Sequence, residues 1–243
     1  MCRRARESAI FRSNRSMSMV AEWVFGGCTG CSPNERCQSR FGVAMALSRN
    51  PDAVAAMLGA DWEVASHGYR WIDHHGMAEA EEREHIRKTI ELHTEVTGAR
   101  PLGHFLGRRS ENTLRLIAEE GGFEYSQDSY ADELPYWLSE GGKQQLVIPY
   151  TADINDHRFT TSPGFDWGEP FFAYLRDGFD VLYEEGAHFP RLMNIGLHCR
   201  LVGRPGRFQA LKRFVEHVQN HDDVWLCRGS DIARHWQQNF PPL

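Results

Sequence analysis

The chain has 243 residues, of which 41% are hydrophobic and 25% are charged, and its mean hydropathy is −0.52. This composition predicts one globular domain, or at most two small ones, large enough to bury a core without disulfides. The net charge of −6 and the pI of about 6.1 leave no basic stripe for phosphates, so nucleic acid is not an expected partner. No run approaches the roughly 20 apolar residues of a membrane span, and the basic N-terminus lacks the apolar core of a secretory signal. We therefore expect a cytoplasmic protein that does not bind membranes.

The first 41 residues differ in character from the rest of the chain. Residues 14–41 show neither helical nor strand periodicity. We back-translated this segment and read it from the third base of each codon. With a suitable choice of synonymous codons, the shifted frame encodes the string S-I-Y-V-Y-G-S-R-V-G-V-W-R-L-H-R-L-F-T-E-R-A-V-P-V-T-V. Its V-W-R-L-H-R-L-F portion has helical spacing, and V-P-V-T-V would form a strand that runs into Phe41. We predict that residues 1–41 are an aberrant segment produced by a frame error, against the alternative of a disordered tail, and that residues 42–243 form the catalytic domain.

Three of the six cysteines, Cys28, Cys31 and Cys37, lie within this segment. Their spacing is similar to half of a zinc knuckle, but a closed tetrahedral site needs a fourth ligand, and the nearest histidine is His67. A disulfide scaffold is not expected at this length and cysteine density. We interpret the cluster as a by-product of the frame error.

Beyond Phe41, short apolar runs alternate with longer helical patterns, which is typical of β/α units. Asn50 and Pro51 predict a helix start before residues 52–58. A strand at 63–66 is followed by a helix at 79–97, which Gly98 ends, and by a helix at 110–120, which Gly121 ends. The remaining predicted elements are strands at 146–149, 192–197 and 224–227 and helices at 167–185, 208–220 and 230–236.

Chemically versatile side chains follow three of these strands. His67 follows the strand at 63–66, Asp153 and Asp156 follow the strand at 146–149, and His198 follows the strand at 192–197. In α/β architectures the loops at the carboxyl ends of strands converge on one mouth. Histidine there can act as acid, base or ligand near neutral pH, although a lone histidine at a strand end is often structural.

Residues in the loops between these elements are further candidates for the functional site, and each also has an ordinary structural explanation. Arg108 could bind a carboxylate or carbonyl oxygen through its planar guanidinium, while the neighbouring Ser110 could simply cap a helix. His74 and His75 are expected in a solvated loop. The aromatic and acidic loop that contains Trp137 has the composition of a binding loop or of ordinary polar surface.

Several segments, in one order along the chain, carry a resemblance to a known family. They are Ser66-His67-Gly68-Tyr69-Arg70-Trp71, Gly107-Arg108 with Asn112-Thr113, Glu119-Glu120-Gly121-Gly122-Phe123, Leu134-Pro135-Tyr136-Trp137, Asn155-Asp156 with Arg158-Phe159, and Gly196-Leu197-His198 through Gly206-Arg207. Together they resemble the polysaccharide deacetylase superfamily, and most closely its allantoinase branch, over about four-fifths of the chain. The shifted-frame string is similar to the sequence that this family carries just upstream.

The resemblance implies a deformed (β/α) barrel, here expected to lack its first strand, and a homo-oligomer, by resemblance a homotetramer. Carbohydrate deacetylases of the superfamily hold a metal with one aspartate and two histidines spaced H-x-x-x-H. His67 matches the first histidine, but Trp71 stands at the second position, and indole cannot replace an imidazole ligand. We therefore expect no metal and no other cofactor. The superfamily's first acidic motif should precede residues 13–41 and is not recognisable in this sequence.

We predict an allantoinase-like cyclic amidohydrolase that opens the five-membered ring of a small ureide with water. His67 and His198 are the candidates for proton transfer and substrate polarisation, and Asp156 for binding ureide N–H groups or orienting a histidine. Arg108 would recognise a carbonyl or leaving group. The aromatic walls of the ligand site are expected to be Tyr69, Trp71 and Trp137.

Two alternatives remain open at this point. The first is a metal-dependent deacetylase of N-acetylated sugars or polysaccharides, which the tryptophan at position 71 disfavours. The second is an inactive, truncated or binding-only homologue.

Overall fold

The computed structural model describes residues 19–26 and 39–242, and it describes side chains from Phe41 onward. The strands of these residues are β1 (Met19–Gly26), β2 (Ser39–Gly42), β3 (Glu63–Ser66), β4 (Gly103–His104), β5 (Tyr125–Ser126), β6 (Tyr136–Glu140), β7 (Lys143–Val147), β8 (Leu192–His198) and β9 (Trp225–Cys227). The helices are α1 (Ala44–Ser48), α2 (Pro51–Gly59), α3 (Glu79–Thr97), α4 (Thr113–Glu120), α5 (Gly168–Gly186), α6 (Cys199–Val202), α7 (Pro205–Val218) and α8 (Gly229–Asn239), with a 3-10 turn at Asp156–Phe159. None of the described helices is both long enough and apolar enough to cross a bilayer.

The described strands form one sheet in the order β6-β7-β5-β4-β3-β2-β1-β8, with β9 paired to β1. Strands β2, β3, β4, β5 and β7 run parallel to one another, and helices connect most of them. This is the expected α/β fold with a mostly parallel sheet. In the described part of the chain the sheet does not close into a complete barrel, and its outermost strands are β6 and β8.

Strand β1 corrects one expectation. Residues 14–41 show no strand periodicity and the barrel was expected to lack its first strand, yet β1 lies between β2 and β8 and pairs with both. Two neighbouring strand edges present unpaired N–H and C=O groups, and an extended segment rich in valine and aromatic residues can satisfy them. β1 runs antiparallel to β2 and β8, whereas β2 to β5 are parallel to one another. The frame error stays a prediction, and Cys28, Cys31 and Cys37 lie outside the described residues.

A β-hairpin replaces the loop that was expected around Trp137. β6 pairs with β7 in antiparallel register, from Tyr136 opposite Val147 to Glu140 opposite Lys143. The turn consists of Gly141 and Gly142, both with positive φ, a conformation that side chains with a Cβ rarely adopt. The strand at 146–149 therefore begins earlier than predicted, because its first residues are polar and pair with β6 at the sheet's edge.

Two apolar clusters hold the helices and the sheet together. One lies inside the sheet's curve and includes Phe41, Tyr125 and Ile148. The other lies between β8 and the helices α5 and α7, where Phe171, Phe214 and several other aliphatic and aromatic side chains are buried. Burial of each such side chain contributes about 1.5 to 3 kcal/mol, so these contacts fix β8 and the residues at its carboxyl end.

Candidate active site

The carboxyl ends of β3, β4 and β8 deliver their following residues to one mouth of the sheet. His67 follows β3 directly, Phe105 follows β4, and His198 is the last residue of β8. The loops beyond these strands also meet, since Arg108 and Arg200 both lie over the ring of Trp71, at 5.2 and 5.3 Å from its centroid. The convergence that the sequence predicts for His67 and His198 is therefore present.

His198 is held by a buried carboxylate. Its Nδ1 lies 2.7 Å from Asp156 Oδ1, while Asp156 Oδ2 accepts hydrogen bonds from the backbone N–H groups of His198 (2.8 Å) and Val202 (3.0 Å). Asp156 is fully buried, and it stands at the start of the 3-10 turn, which the Asn155 side chain caps. Because an ionised carboxylate only accepts hydrogen bonds, neutral His198 carries its proton on Nδ1 and keeps a lone pair on Nε2.

His67 is buried and neutral. Its Nδ1 lies 2.7 Å from the carbonyl oxygen of Phe105, so Nδ1 carries the proton there as well. Burial lowers the pKa of His67 to about 4, against smaller raising effects from the Phe105 carbonyl and the Asp128 carboxylate. His198 also lowers this pKa by a smaller amount. Near neutral pH, His67 therefore offers a lone pair on Nε2 rather than a positive charge.

A stack of aromatic rings connects the two histidines. The His67 ring stacks on Phe105 at 5.4 Å, and Phe105 stacks on Tyr150 at 4.6 Å. The Tyr150 hydroxyl accepts a hydrogen bond of 2.6 Å from the amide of Asn155, the residue before Asp156. Gly196 of β8 makes this approach possible, because a Cβ there would lie 2.1 Å from the Tyr150 hydroxyl. The floor of the site is thus rigid and largely apolar.

Three buried polar residues beside this stack were missed at the sequence level. The carboxylate of Asp128 accepts hydrogen bonds from the backbone N–H groups of Leu106 and Gly107, and His104 Nδ1 lies 3.4 Å from it. Gln127 is fully buried, and neither atom of its amide has a hydrogen-bond partner among the described residues. Gln127 and Asp128 both follow β5, but this two-residue strand is not predicted from the sequence, so their position at a strand end could not be recognised.

Gln127 continues the pairing of β5 with β4, because its backbone N–H donates to the carbonyl of His104. Strand alternation therefore places its side chain on the same face as Tyr125 and beside Phe105. A buried amide without partners costs free energy, so it is a candidate for binding a polar ligand.

The loop that carries Arg108 rests on a buried polar network. Glu82 is fully buried and accepts hydrogen bonds from Ser110 (2.5 Å), Thr113 and His74 (3.3 Å). Burial raises the pKa of Glu82, but these three hydrogen bonds outweigh it and the net pKa is lowered. The expectation that His74 lies in a solvated loop is wrong, because its ring is buried against Glu82 and its backbone N–H donates to the carbonyl of Arg108. Only His75 of that pair is exposed.

The remaining predicted residues occupy different places. Trp71 and Arg108 are exposed at the rim of the mouth. Tyr69 instead packs against His85 of α3. Trp137 lies on β6 and donates to the carbonyl of Phe240 near the C-terminus, so the structure does not bring it to the histidines. An open depression of about 340 Å³ lies between the residues that follow β7 and the start of β8, and Tyr150 forms part of its wall.

The described residues at this mouth do not fit the three-ligand metal site of the deacetylases. The residue four positions after His67 is Trp71, whose half-exposed indole lies between two guanidinium groups and has no lone pair for a metal. His198 uses its Nδ1 on Asp156. Within the described residues, the one cluster of three ligand side chains with metal spacing is Asp180, His217 and His221, on α5 and at the end of α7.

Comparisons with known proteins agree with this architecture. The family model for polysaccharide deacetylase matches residues 39–125. A Schizosaccharomyces pombe protein named as a polysaccharide deacetylase is 37% identical in an alignment of 218 residues that covers 83% of this chain and 68% of the relative. The chain belongs to the polysaccharide deacetylase family, whose deacetylases and allantoinases are hydrolases.

Two solved structures are similar at higher identity. The crystal structure of PuuE allantoinase is 48% identical with a TM-score of 0.84, over 98% of this chain and 73% of that chain. A Pseudomonas aeruginosa PAO1 protein named as a polysaccharide deacetylase is 56% identical with a TM-score of 0.81, over 84% of this chain and 68% of that chain. These two neighbours name different activities within one fold.

Proposed function

We propose that this protein is an allantoinase-like hydrolase that opens the ring of a small cyclic ureide, allantoin to allantoate. Two features together carry the proposal: Trp71 stands at the position of a metal ligand, and His198 and Asp156 form a hydrogen-bonded dyad. Trp71 removes a ligand from the metal site of the deacetylases, while the dyad supplies a general base that needs no metal. The similarity to PuuE allantoinase over nearly the whole chain supports the same substrate class.

The proton movements follow from the hydrogen bonds of His198. Its Nε2 accepts a proton from water while the water oxygen attacks a ring carbonyl carbon. The bond from that carbon to the ring nitrogen breaks, and the imidazolium returns the proton to the leaving nitrogen. Asp156 stays ionised throughout, holds the Nδ1 proton and stabilises the imidazolium. Water thereby adds its hydroxyl to carbon and its proton to nitrogen.

Substrate binding uses groups that need not change protonation. The lone pair on neutral His67 accepts a ureide N–H, and the buried amide of Gln127 can both donate to and accept from a ureide. Arg108, at the rim beside Trp71, is suited to a carbonyl or to the carboxylate that ring opening produces. The stack of Phe105 and Tyr150 gives a flat floor for a planar ligand.

The experiment measures allantoin hydrolysis by acid release and by NMR of the product, for the chain as written and for a version whose residues 14–40 are replaced by the 27-residue shifted-frame string, with Phe41 kept. We expect ring opening that survives exhaustive treatment with EDTA. The His198→Gln variant should lose about 10²- to 10⁴-fold in turnover, whereas His188→Gln, an exposed histidine, should leave it unchanged. Activity lost with EDTA and restored by zinc, or no ring opening by either version, would overturn the proposal.

A metal-dependent deacetylase of N-acetylated sugars is the second candidate. It is favoured by the name of the Pseudomonas aeruginosa structure, which shares 56% identity with this chain. The same preparations are therefore incubated with N-acetylglucosamine oligomers and Zn²⁺ or Co²⁺. Acetate release without allantoin turnover would establish this candidate in place of the first.

A further inference from the structure

A second cluster of ligand side chains lies where α5 packs against α7. The ligand atoms of Asp180 on α5 and of His217 and His221 at the end of α7 all lie within 4.8 Å of one another. His217 Nε2 is 2.6 Å from Asp180 Oδ1, so these two atoms already face each other across the helix pair. Because a carboxylate only accepts hydrogen bonds, His217 Nε2 donates a proton to Asp180 here; an ion would displace this proton and, after small side-chain rotations, bind both atoms at about 2.0 to 2.2 Å.

The spacing of the two histidines suits one ion. Residues four apart lie on the same face of a helix, and two imidazoles at this spacing are a recurrent arrangement of zinc ligands. α7 ends at Val218, but the helical turns continue, with His221 N–H bonded to the Val218 carbonyl. The two rings therefore remain neighbours, with centroids 4.7 Å apart.

His221 is also in the correct protonation state for a ligand. Its Nδ1 lies 2.9 Å from the carbonyl oxygen of His217, which only accepts hydrogen bonds, so Nδ1 carries the proton and Nε2 keeps its lone pair. Histidines that bind metals usually donate their other N–H in this way. Phe179 and Tyr183 hold the ring from two sides, with centroids at 5.0 and 4.8 Å. The ligand is thus oriented before an ion arrives.

Accessibility and charge permit an ion from solution to reach the cluster. The side chains of His217 and Asp180 are 25% and 42% exposed, so water can complete the coordination sphere. One carboxylate and two neutral imidazoles are a ligand set typical of zinc and of neighbouring transition metals, rather than of calcium or magnesium.

We propose that Asp180, His217 and His221 form a binding site for one divalent transition-metal ion of the zinc class, with three protein ligands and water. α5 leads into β8 and α6 leads out of it to α7, so α5 and α7 both run opposite to β8. Asp180 and His221 therefore lie toward the amino end of β8, at the opposite end of the strand from His198. The ion joins α5 to α7 and acts on stability, not on the hydrolytic chemistry.

The test uses the full chain without an affinity tag, stripped with EDTA and dialysed, and titrated with Zn²⁺ by isothermal calorimetry. We expect one equivalent to bind, with a rise in melting temperature of about 5 to 10 °C when Zn²⁺ is at a hundredfold excess over the dissociation constant. Co²⁺ should give visible absorption typical of nitrogen and oxygen ligands. The His217→Asn/His221→Asn variant should lose the site, and Asp180→Asn should weaken it at least about tenfold.

His75→Asn is the matched control, since this histidine is exposed and lies outside the cluster. Circular dichroism verifies that each variant is folded, and the single variants His217→Asn and His221→Asn replace the double variant if it is not. Undiminished binding by folded variants, no binding by the unsubstituted chain, or thiolate charge-transfer absorption in the Co²⁺ spectrum would each overturn the proposal. All three readouts are independent of hydrolysis, so they stand apart from the proposed allantoinase activity.

Discussion

Replacing Asp156 with asparagine alters the proton on His198 while leaving the shape of the site intact. Asp156 Oδ2 accepts two backbone hydrogen bonds, from His198 and Val202, and an asparagine oxygen can keep both. The asparagine NH₂ then takes the place of Oδ1, 2.7 Å from His198 Nδ1. Because NH₂ only donates, the imidazole must move its proton to Nε2, and the lone pair that would accept a proton from water is lost.

The expected effects on stability and on turnover differ in size. Three charge-assisted hydrogen bonds become neutral, while the cost of burying a charge is removed, so the free energy of unfolding should fall by about 1 to 3 kcal/mol. Removal of the general base should lower turnover by about 10²- to 10⁴-fold, which corresponds to about 3 to 5 kcal/mol in the activation barrier. A domain of ordinary stability tolerates the first change and remains folded.

The assay combines initial rates on allantoin, urea unfolding and ¹⁵N NMR of the His198 ring. The NMR measurement should show the unprotonated nitrogen at Nε2 in the parent chain and at Nδ1 in Asp156→Asn. Asp153→Asn is the matched control, since this exposed aspartate bonds to Tyr174 and should change neither rate nor tautomer.

Two results would refute the reasoning. The first is an Asp156→Asn variant that hydrolyses allantoin at the parental rate. The second is a parent chain in which His198 already carries its proton on Nε2, because the dyad could not then act as the base.

Three further predictions concern stability. His67 is neutral in the folded state and has a pKa of about 4, below its unfolded value of about 6.5, so the free energy of unfolding should fall as the pH drops through this window. At about pH 5 this fall amounts to about 2 kcal/mol in the parent chain, and it should be absent from the His67→Gln variant. If urea titrations gave the variant and the parent chain the same pH dependence, the burial argument would be contradicted. Glu82→Ala should cost at least about 3 kcal/mol, because Ser110, Thr113 and His74 lose their buried acceptor, whereas exposed Glu91→Ala should cost less than about 0.5 kcal/mol. A version with the shifted-frame string in place of residues 14–40 should melt at a higher temperature and turn over allantoin faster than the chain as written. Equal melting temperatures and rates, or stop codons in the shifted frame, would show the present N-terminus to be genuine.

Local sequence patterns determined the positions of the elements that carry the site. Glycine after a helical pattern and short apolar runs located α3 and β3 at their observed bounds, and placed His67 and His198 at strand ends. These signals depend on neighbours within a few residues, so they survive without knowledge of the fold. The family motifs, also local, predicted the α/β fold and the hydrolase class.

Only the tertiary structure decided which polar groups are buried together. Glu82 and His74 belong to segments that sequence patterns class as an exposed helix and a loop, yet they meet Ser110 in a sealed network. Likewise, Gln127 and Asp128 become candidate site residues only because β5 lies beside β4. Trp137 lies away from the histidines because β6 pairs at the edge of the sheet. Burial and pKa depend on contacts between residues far apart in the chain, such as the 42 positions that separate Asp156 from His198. Periodicity carries no information about such contacts, which is why the residue types were predictable and their hydrogen-bonded arrangement was not.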